Sequence, residues 1–314
     1  MSDRTIATTP RLDWLLFILL GFFWGSSYLF IKIGVETLSP FTLVAGRLAV
    51  GATLLAVVLA VSNQRLPRNR RTYGHLGVMA ALNIVIPFSL ITWGERSIDS
   101  ALASILNASV PLFTIILAAA FLADEPITFN RVIGLLVGFG GVVVLTSPSL
   151  SGGGGSLTGE LAMIGSSIAY ASGNVYARRY VRGLHPMVTS FFQVFFALIA
   201  TAALALGFER PLAVSVHPST IVSVLWLGIF GSGLAYLAFF RLHSRWGSTR
   251  SSLVAYLLPI VGIALGFLVL HERIDVLVLA GTTLIIGGVA LVNSRVGQWT
   301  QAGRAAAGVK TRPG

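Results

Sequence analysis

Cysteine is absent and charge is scarce: 11% of the 314 residues are Asp, Glu, Lys or Arg, with 11 acids against 22 bases. Without cysteine there is no disulfide, no thiolate metal site and no cysteine nucleophile. A soluble domain carries about 25% charged residues, so this chain could not cover a water-facing surface. Its five histidines are scattered, and no HExxH, GxSxG or GxxxxGK[ST] pattern occurs. Zinc hydrolases, serine hydrolases and P-loop pumps therefore find no machinery here. A net charge of +11 would point a soluble chain toward nucleic acid. Here the bases sit in short segments between apolar runs, which is a topology signal instead. No cofactor, no metal and no nucleic-acid partner is expected.

What the chain does have is hydrocarbon: 55% of it is hydrophobic, with a mean hydropathy of +0.84. Crossing a bilayer takes about 20 mostly apolar residues. Ten such runs are predicted, at 13–34, 41–62, 74–94, 99–122, 128–147, 158–180, 187–208, 219–240, 248–270 and 275–293. The first follows Arg11 and Asp13 and reads as an uncleaved signal anchor. Runs of this length satisfy their own backbone as helices, so the expected class is an all-α membrane protein. With the N-terminus inside, 17 Lys and Arg fall on the inner side and 4 on the outer, with Arg47 alone inside a helix. That bias puts both termini in the cytoplasm.

The sequence repeats itself. Ala108 to Leu145 and Tyr256 to Leu291 share one design. Pro111 precedes Glu125 by 14 residues, and Pro259 precedes Glu272 by 13. Gly134 and Gly281 follow the glutamates by 9, and the pairs Gly140–Gly141 and Gly287–Gly288 by 15. Near the start of each half, Lys32 and Arg178 each precede a proline, Pro40 or Pro186, by 8. A slide of 146 lays Trp24 on Tyr170, Ser26 on Ser172 and Tyr28 on Asn174. Between the halves, SPSLSGGGGS (Ser147–Ser156) reads as a flexible linker. Five helices per half is an odd number, so the second half would run the opposite way through the membrane. The expected fold is ten transmembrane helices built as two inverted five-helix repeats around a central cavity. Its parts are a cytoplasmic segment 1–12, repeats at 13–147 and 158–293, a linker 148–157 and a basic tail 294–314.

Polar side chains inside a span are costly unless they face a cavity or another helix. Six predicted helices carry them at helical spacing. The first carries Trp24, Tyr28 and Lys32; the third, Asn83, Pro87 and Trp93; the fourth, Ser100, Ser104, Asn107 and Pro111. The sixth carries Ser167, Tyr170, Asn174 and Arg178; the eighth, Ser232, Tyr236, Phe240 and His243; the ninth, Ser248, Ser252, Tyr256 and Pro259. Any single Ser or Gly is more simply a close-packing residue, whereas the Asn amides need partners. Together the six faces predict a shared wet cavity lined by Trp24, Tyr28, Asn83, Trp93, Ser104, Asn107, Tyr170, Asn174, Ser232, Tyr236, Ser252 and Tyr256. Trp93, near a helix end, also suits the interfacial belt.

Pro87, Pro111 and Pro259 each remove a backbone hydrogen bond and are candidate gating bends, with a plain kink as the alternative. Lys32, Arg178, Glu125 and Glu272 lie near helix ends as structural charges, and the two bases are expected to snorkel. Arg47, about two turns inside its helix, is expected to reach a headgroup or pair with Glu36. No acid falls mid-membrane, so a carboxylate relay has no evident residue. Flux is expected to persist without a proton gradient, with Glu125 and Glu272 the acids to test first if it does not.

Trp24 to Leu55, WGSSYLFIKIGVETLSPFTLVAGRLAVGATLL, resembles the opening of EamA-type carriers of the drug/metabolite transporter superfamily. Both Pro…Glu…Gly-Gly stretches resemble that family's second signature. The first half departs from the usual Gly-Glu-Arg with Asp124–Glu125–Pro126, so it lacks the arginine that follows the glutamate in His271–Glu272–Arg273. The resemblance implies a ten-helix basket, rocking of helices 3–4 and 8–9, and export across a bacterial inner membrane. Its nearest subgroup is the bacterial ten-helix amino-acid exporters. A polar and aromatic lining suits an amino acid, and a monomer is expected. Drugs or lipophilic cations, nucleotide sugars, or a membrane enzyme or scaffold stand as alternatives. A lipophilic cation would want a buried acid, and a phosphorylated ligand several deep cations.

Overall fold

The computed structural model describes residues 10–293 except 63, 65, 123–127, 152–155, 182 and 212–216; side chains at 10, 243–244, 247–253 and 293 are also left aside. The described residues form helical rods joined by short turns. These are α1 (Pro10–Gly34), α2 (Pro40–Val61), α3 (Arg70–Gly94), α4 (Ser100–Phe121) and α5 (Phe129–Leu150). There follow α6 (Leu157–Tyr180), α7 (Pro186–Phe208), α8 (residues 218–251), α9 (residues 252–270) and α10 (Val276–Asn293). Seven are long and apolar enough to cross a membrane: α1 to α5, α7 and the Pro218–Leu242 part of α8. Val254–Leu270 and Val276–Val292 are shorter apolar helices, and α6 is long but rich in Gly, Ser and Tyr. Pro40, Pro186 and Pro218 open α2, α7 and α8, where a missing N–H costs nothing.

Two expected boundaries move. Helix α5 runs through Pro148 to Leu150, shortening the linker expected at 148–157. Helix α8 continues to Ser251 and passes straight into a 3₁₀ turn, Ser252–Tyr256. The segments 1–9, 152–155 and 294–314, and Glu125, lie outside the described residues.

Helix α5 packs along α10, α2 against α7 and α8, α3 against α6, and α1 and α4 against α9. The α5–α10 seam is made by glycine. A Cβ on Gly288 would lie 2.4 Å from the Gly138 nitrogen and 2.6 Å from the Gly134 oxygen, so only hydrogen fits. Close packing is thus what these spaced glycines do. Gly21 and Gly25 of α1 similarly receive Leu257 and Val261 of α9.

The rods are interrupted at four places. Residues Ala81–Val85 form a π turn followed by Pro87. Helix α4 breaks at 108–109, and Pro111 is the second residue of the new segment Val110–Phe121. In α9 the 3₁₀ turn Ser252–Tyr256 precedes Pro259. In each case the ring clashes with the carbonyl four residues back, so the non-α turn falls just before the proline. The fourth interruption, a π turn at Leu227–Leu234, has no proline but carries Gly228, Gly231 and Gly233.

Candidate functional site

The buried face of α2 is Val44, Leu48, Gly51 and Leu55, and Arg47 rides on it. Its residue is only 3% exposed. The space comes from α8, whose Gly228 lies against the Arg47 carbonyl and whose Gly231 lies beside the guanidinium. Arg47 Nε donates to Ser232 Oγ at 3.1 Å, and Cζ stands 4.2 Å over the Phe88 ring. Tyr28, Tyr170 and Tyr236 surround it, with Glu95 the acid within its electrostatic reach. Among the described residues no carboxylate comes within ion-pair distance of it. The expected headgroup or Glu36 contact is therefore not made, because the helix face that carries Arg47 turns inward. Stacking on an aromatic ring is worth about 2 kcal/mol when desolvated, well short of the cost of burying a charge. The site has room for an anion's charge.

Rings complete the surround. Trp24 meets Tyr236 edge-on at 6.3 Å and Phe239 at 5.3 Å, while Tyr236 stacks on Phe240 at 6.2 Å. Tyr28 lies beside Asn107 at the break in α4, and Asn107 Oδ1 accepts from Ser166 at 3.3 Å. Tyr170 touches both halves of the apolar core, and Tyr256 packs on one of them. Asn83, in the α3 π turn, lies against Gly173 next to this cluster, its Oδ1 buried without a partner.

Trp93 does not join. It is 45% exposed in the last turn of α3, a helix-end position of the kind Trp takes at a membrane interface. Ser104 donates to the Ala101 carbonyl at 2.7 Å and sits against Gly262, so it packs rather than lines. The Ser252 side chain lies outside the described residues. Asn174 is exposed, about a third of a turn or more around α6 from the outward Leu161 and Ile168. Its exposure thus falls on the same side of α6 as Tyr170. Arg178 is half-buried one turn further on.

The turns at the other end are tied by charges that the sequence left ambiguous. Lys32 Nζ donates to the carbonyls of Glu95 at 2.8 Å and Ile98 at 2.6 Å, so it caps α3 instead of snorkelling. His271 takes a left-handed φ of 55° and ends α9. Glu272 then accepts from the Ser100 and Ala101 N–H groups at 2.7 and 2.9 Å, in the gap that Gly266 leaves. A helix N-terminus attracts an anion, and Glu272 takes that partner. Glu209 does the same for α2, accepting from Phe41 and Thr42 N–H and from the Thr42 hydroxyl at 2.6–3.0 Å. Glu95 is fully buried, and both carboxyl oxygens lack a partner. Sequence reasoning passed over Glu95 and Glu209, because an acid at the end of an apolar run ordinarily faces water.

The EamA-like transporter family matches this chain twice, over residues 13–147 and 157–294. An uncharacterized transporter of Archaeoglobus fulgidus is 26% identical over 279 residues, covering 89% of this chain and 98% of its own. The uncharacterized transporter YvbV of Bacillus subtilis is 28% identical over 285 residues, 90% and 91% of the two chains. The uncharacterized inner membrane transporter YedA of Escherichia coli is 27% identical over 250 residues, 77% and 78%. A crystal structure at 20% identity shares the fold, with a TM-score of 0.66 over 93% of this chain and all of the other. Apolar helices of spanning length, a buried polar centre and two matches along one chain lead to the same conclusion: this multi-pass membrane transporter belongs to the EamA-like family of the drug/metabolite transporter superfamily.

Proposed function

We propose that the protein is a secondary carrier of the bacterial inner membrane that exports a small carboxylate-bearing metabolite, foremost an amino acid, by alternating access. The observation that carries this reading is Arg47: a buried guanidinium that, among the described residues, has one hydrogen bond, one aromatic face and no carboxylate beside it. A substrate carboxylate supplies the missing charge in a bidentate geometry that guanidinium favours. Tyr28, Tyr170 and Tyr236 offer ring faces and hydroxyls to an ammonium group, and Asn83 Oδ1 offers a free acceptor. A lipophilic cation fits poorly beside a buried arginine.

The repeats at 13–147 and 158–293, run in opposite senses, are supported by matched contacts and matched irregularities. Helices α2 and α7, α4 and α9, and α5 and α10 meet directly, while α3–α6 answers to α8–α1 and α4–α6 to α9–α1. The π turns begin at Ala81 and Leu227, 146 residues apart, which is the offset that aligns the first helices. Proline-marked breaks in α4 and α9 are natural switching points and place backbone groups near a substrate. The loop charges favour cytoplasmic termini, and the carrier acts as a monomer.

The test is a thermal-shift screen of amino acids on purified protein. Amino acids that fit raise Tm in proportion to the logarithm of their concentration; the corresponding amines, lacking the carboxylate, do not. Arg47→Met abolishes the shift, and Arg47→Lys loses most of it because the planar fork is gone. An amine that stabilises as well as its amino acid, or an undiminished shift in R47M, would overturn the carboxylate reading.

A further inference from the structure

We propose that Glu95 is the proton-binding residue of the transport cycle, protonated while the 94–101 end of the molecule is closed and ionised as that end opens. The inference rests on the carrier reading above and adds a proton-controlled gate. It reverses the expectation from sequence that no acid is placed to carry a proton.

The geometry is that of a carboxyl held where a carboxylate cannot stay. Glu95 has no exposed surface, and neither oxygen has a hydrogen-bond partner. The hydroxyls of Thr92 and Ser100 nearby in the chain are equally buried and unpaired, so the pocket holds polar atoms yet gives the acid nothing to bind. The charged groups facing it come from every side. Lys32 of α1 places two of its three N–H donors on backbone carbonyls, one of them Glu95's own. Glu272, from the turn after α9, is engaged with the N-terminus of α4. Arg47 of α2 lies deeper, with Tyr28 of α1 between the two regions. Asp99 lies in the same turn, and Glu160 of α6 is satisfied on one oxygen by Ser149. Burial drives the Glu95 carboxyl well above the usual carboxylate range, with Glu272 adding to the rise and Lys32 and Arg47 opposing it.

The sign follows. A group whose pKa is raised in the closed form favours that form at low pH, and the advantage is lost as pH climbs through the raised value. Once ionised, Glu95 must find water or a cation, and the path to either is separation of the 94–101 turn from Glu272. The proton leaves to the solution on that face, and a new one enters before the end can close again. Release and uptake on one face move no net proton across the membrane, so the pH of that face sets how readily this end opens.

Because the chain has no cysteine, Ala101→Cys places a single thiol under Glu272, and a membrane-impermeant maleimide reads its exposure in proteoliposomes. In the A101C protein, the labelling rate is divided by that of a free thiol at the same pH, which removes the thiolate fraction. This normalised rate rises with pH by up to about tenfold per unit, the slope of one ionising group. Adding E95Q, neutral at every pH, makes the normalised rate slow and pH-independent, while the melting curve shows that the protein is folded. Infrared difference spectra supply the second readout: a protonated-carboxyl band that disappears over the same pH range, and is missing in E95Q. An E95Q protein that keeps the parent's pH slope, or a band unaffected by E95Q, overturns the proposal. So does labelling that follows sodium concentration at constant pH. Failure of the amino-acid reading looks different: the thermal shift on Arg47 fails and both of these readouts stand.

Discussion

Glu209 and Asp13 are both acids that tie one helix to another, and they differ in what they are worth. Glu209 accepts three hydrogen bonds at the start of α2, two of them from backbone N–H groups that have no other partner. Asp13 of α1 pairs with Arg245 of α8 at 2.8 Å, and Arg245 is 36% exposed in its side chain. Charge-assisted bonds to a helix end are worth about 2 kcal/mol, whereas an ion pair with one partner in water falls below about 1 kcal/mol. Glu209→Ala is therefore expected to lower stability by about 2 kcal/mol and Asp13→Asn by less than half as much, measured by reversible denaturation in mixed micelles. Equal losses would mean that the helix end is not what Glu209 serves. At this scale the sequence revealed Arg47 as a lone interior charge but not its neighbours. Phe88, Ser232 and three tyrosines reach it from other helices, and only tertiary packing brings them together. Glu95 was hidden for the opposite reason: it lies between Gly94 and Arg96 at the end of an apolar run, where composition does not separate a buried acid from a wet one.

Among the elements, the α5–α10 seam gives the sharpest contrast. A methyl on Gly288 would meet backbone atoms of Gly134 and Gly138 on all sides, while one on its neighbour Gly287 meets nothing within 4 Å. Backbone cannot swing aside as a side chain can, so Gly288→Ala must part the helices, at about 1–3 kcal/mol for an overpacked contact. Gly287→Ala is expected to leave the melting temperature unchanged or slightly raised. The glycine pair was readable from its spacing, and so were three of the four interruptions, since each is announced by a proline. The π turn at Leu227–Leu234 was not. It contains no proline, and its glycines match the small-residue packing pattern found throughout the chain. What marks it is its position, 146 residues after the π turn in α3, and that comparison needs the backbone.

Where Glu272 meets α4, Ser100 and Ser104 are buried, while toward the end of α6 Asn174 is exposed. Thiol reporters in the cysteine-free background check this asymmetry: Asn174→Cys should label rapidly with a maleimide in detergent at low pH, and Ser104→Cys, buried against Gly262, by at least about tenfold less, as expected for a site reached only by opening. Similar rates would place both positions on one accessible path. The spanning helices were legible from hydropathy alone because lipid imposes length and apolarity on every one. Helix α6 was harder to read, since the side chains that serve the interior thin out its apolar signal.

The stranded guanidinium has an electrical consequence. A unit charge carried fully across a membrane exchanges about 2.3 kcal/mol with the field for every 100 mV. An empty carrier that shifts Arg47 relative to the two solutions therefore moves current, and the resting potential resists or assists that step. A cargo with a carboxylate and no ammonium cancels the moving charge and makes the loaded step voltage-silent, whereas a zwitterionic amino acid leaves that charge in place. The membrane potential then acts on the empty and the amino-acid-loaded steps alike, and on the empty step alone when the cargo is a net anion.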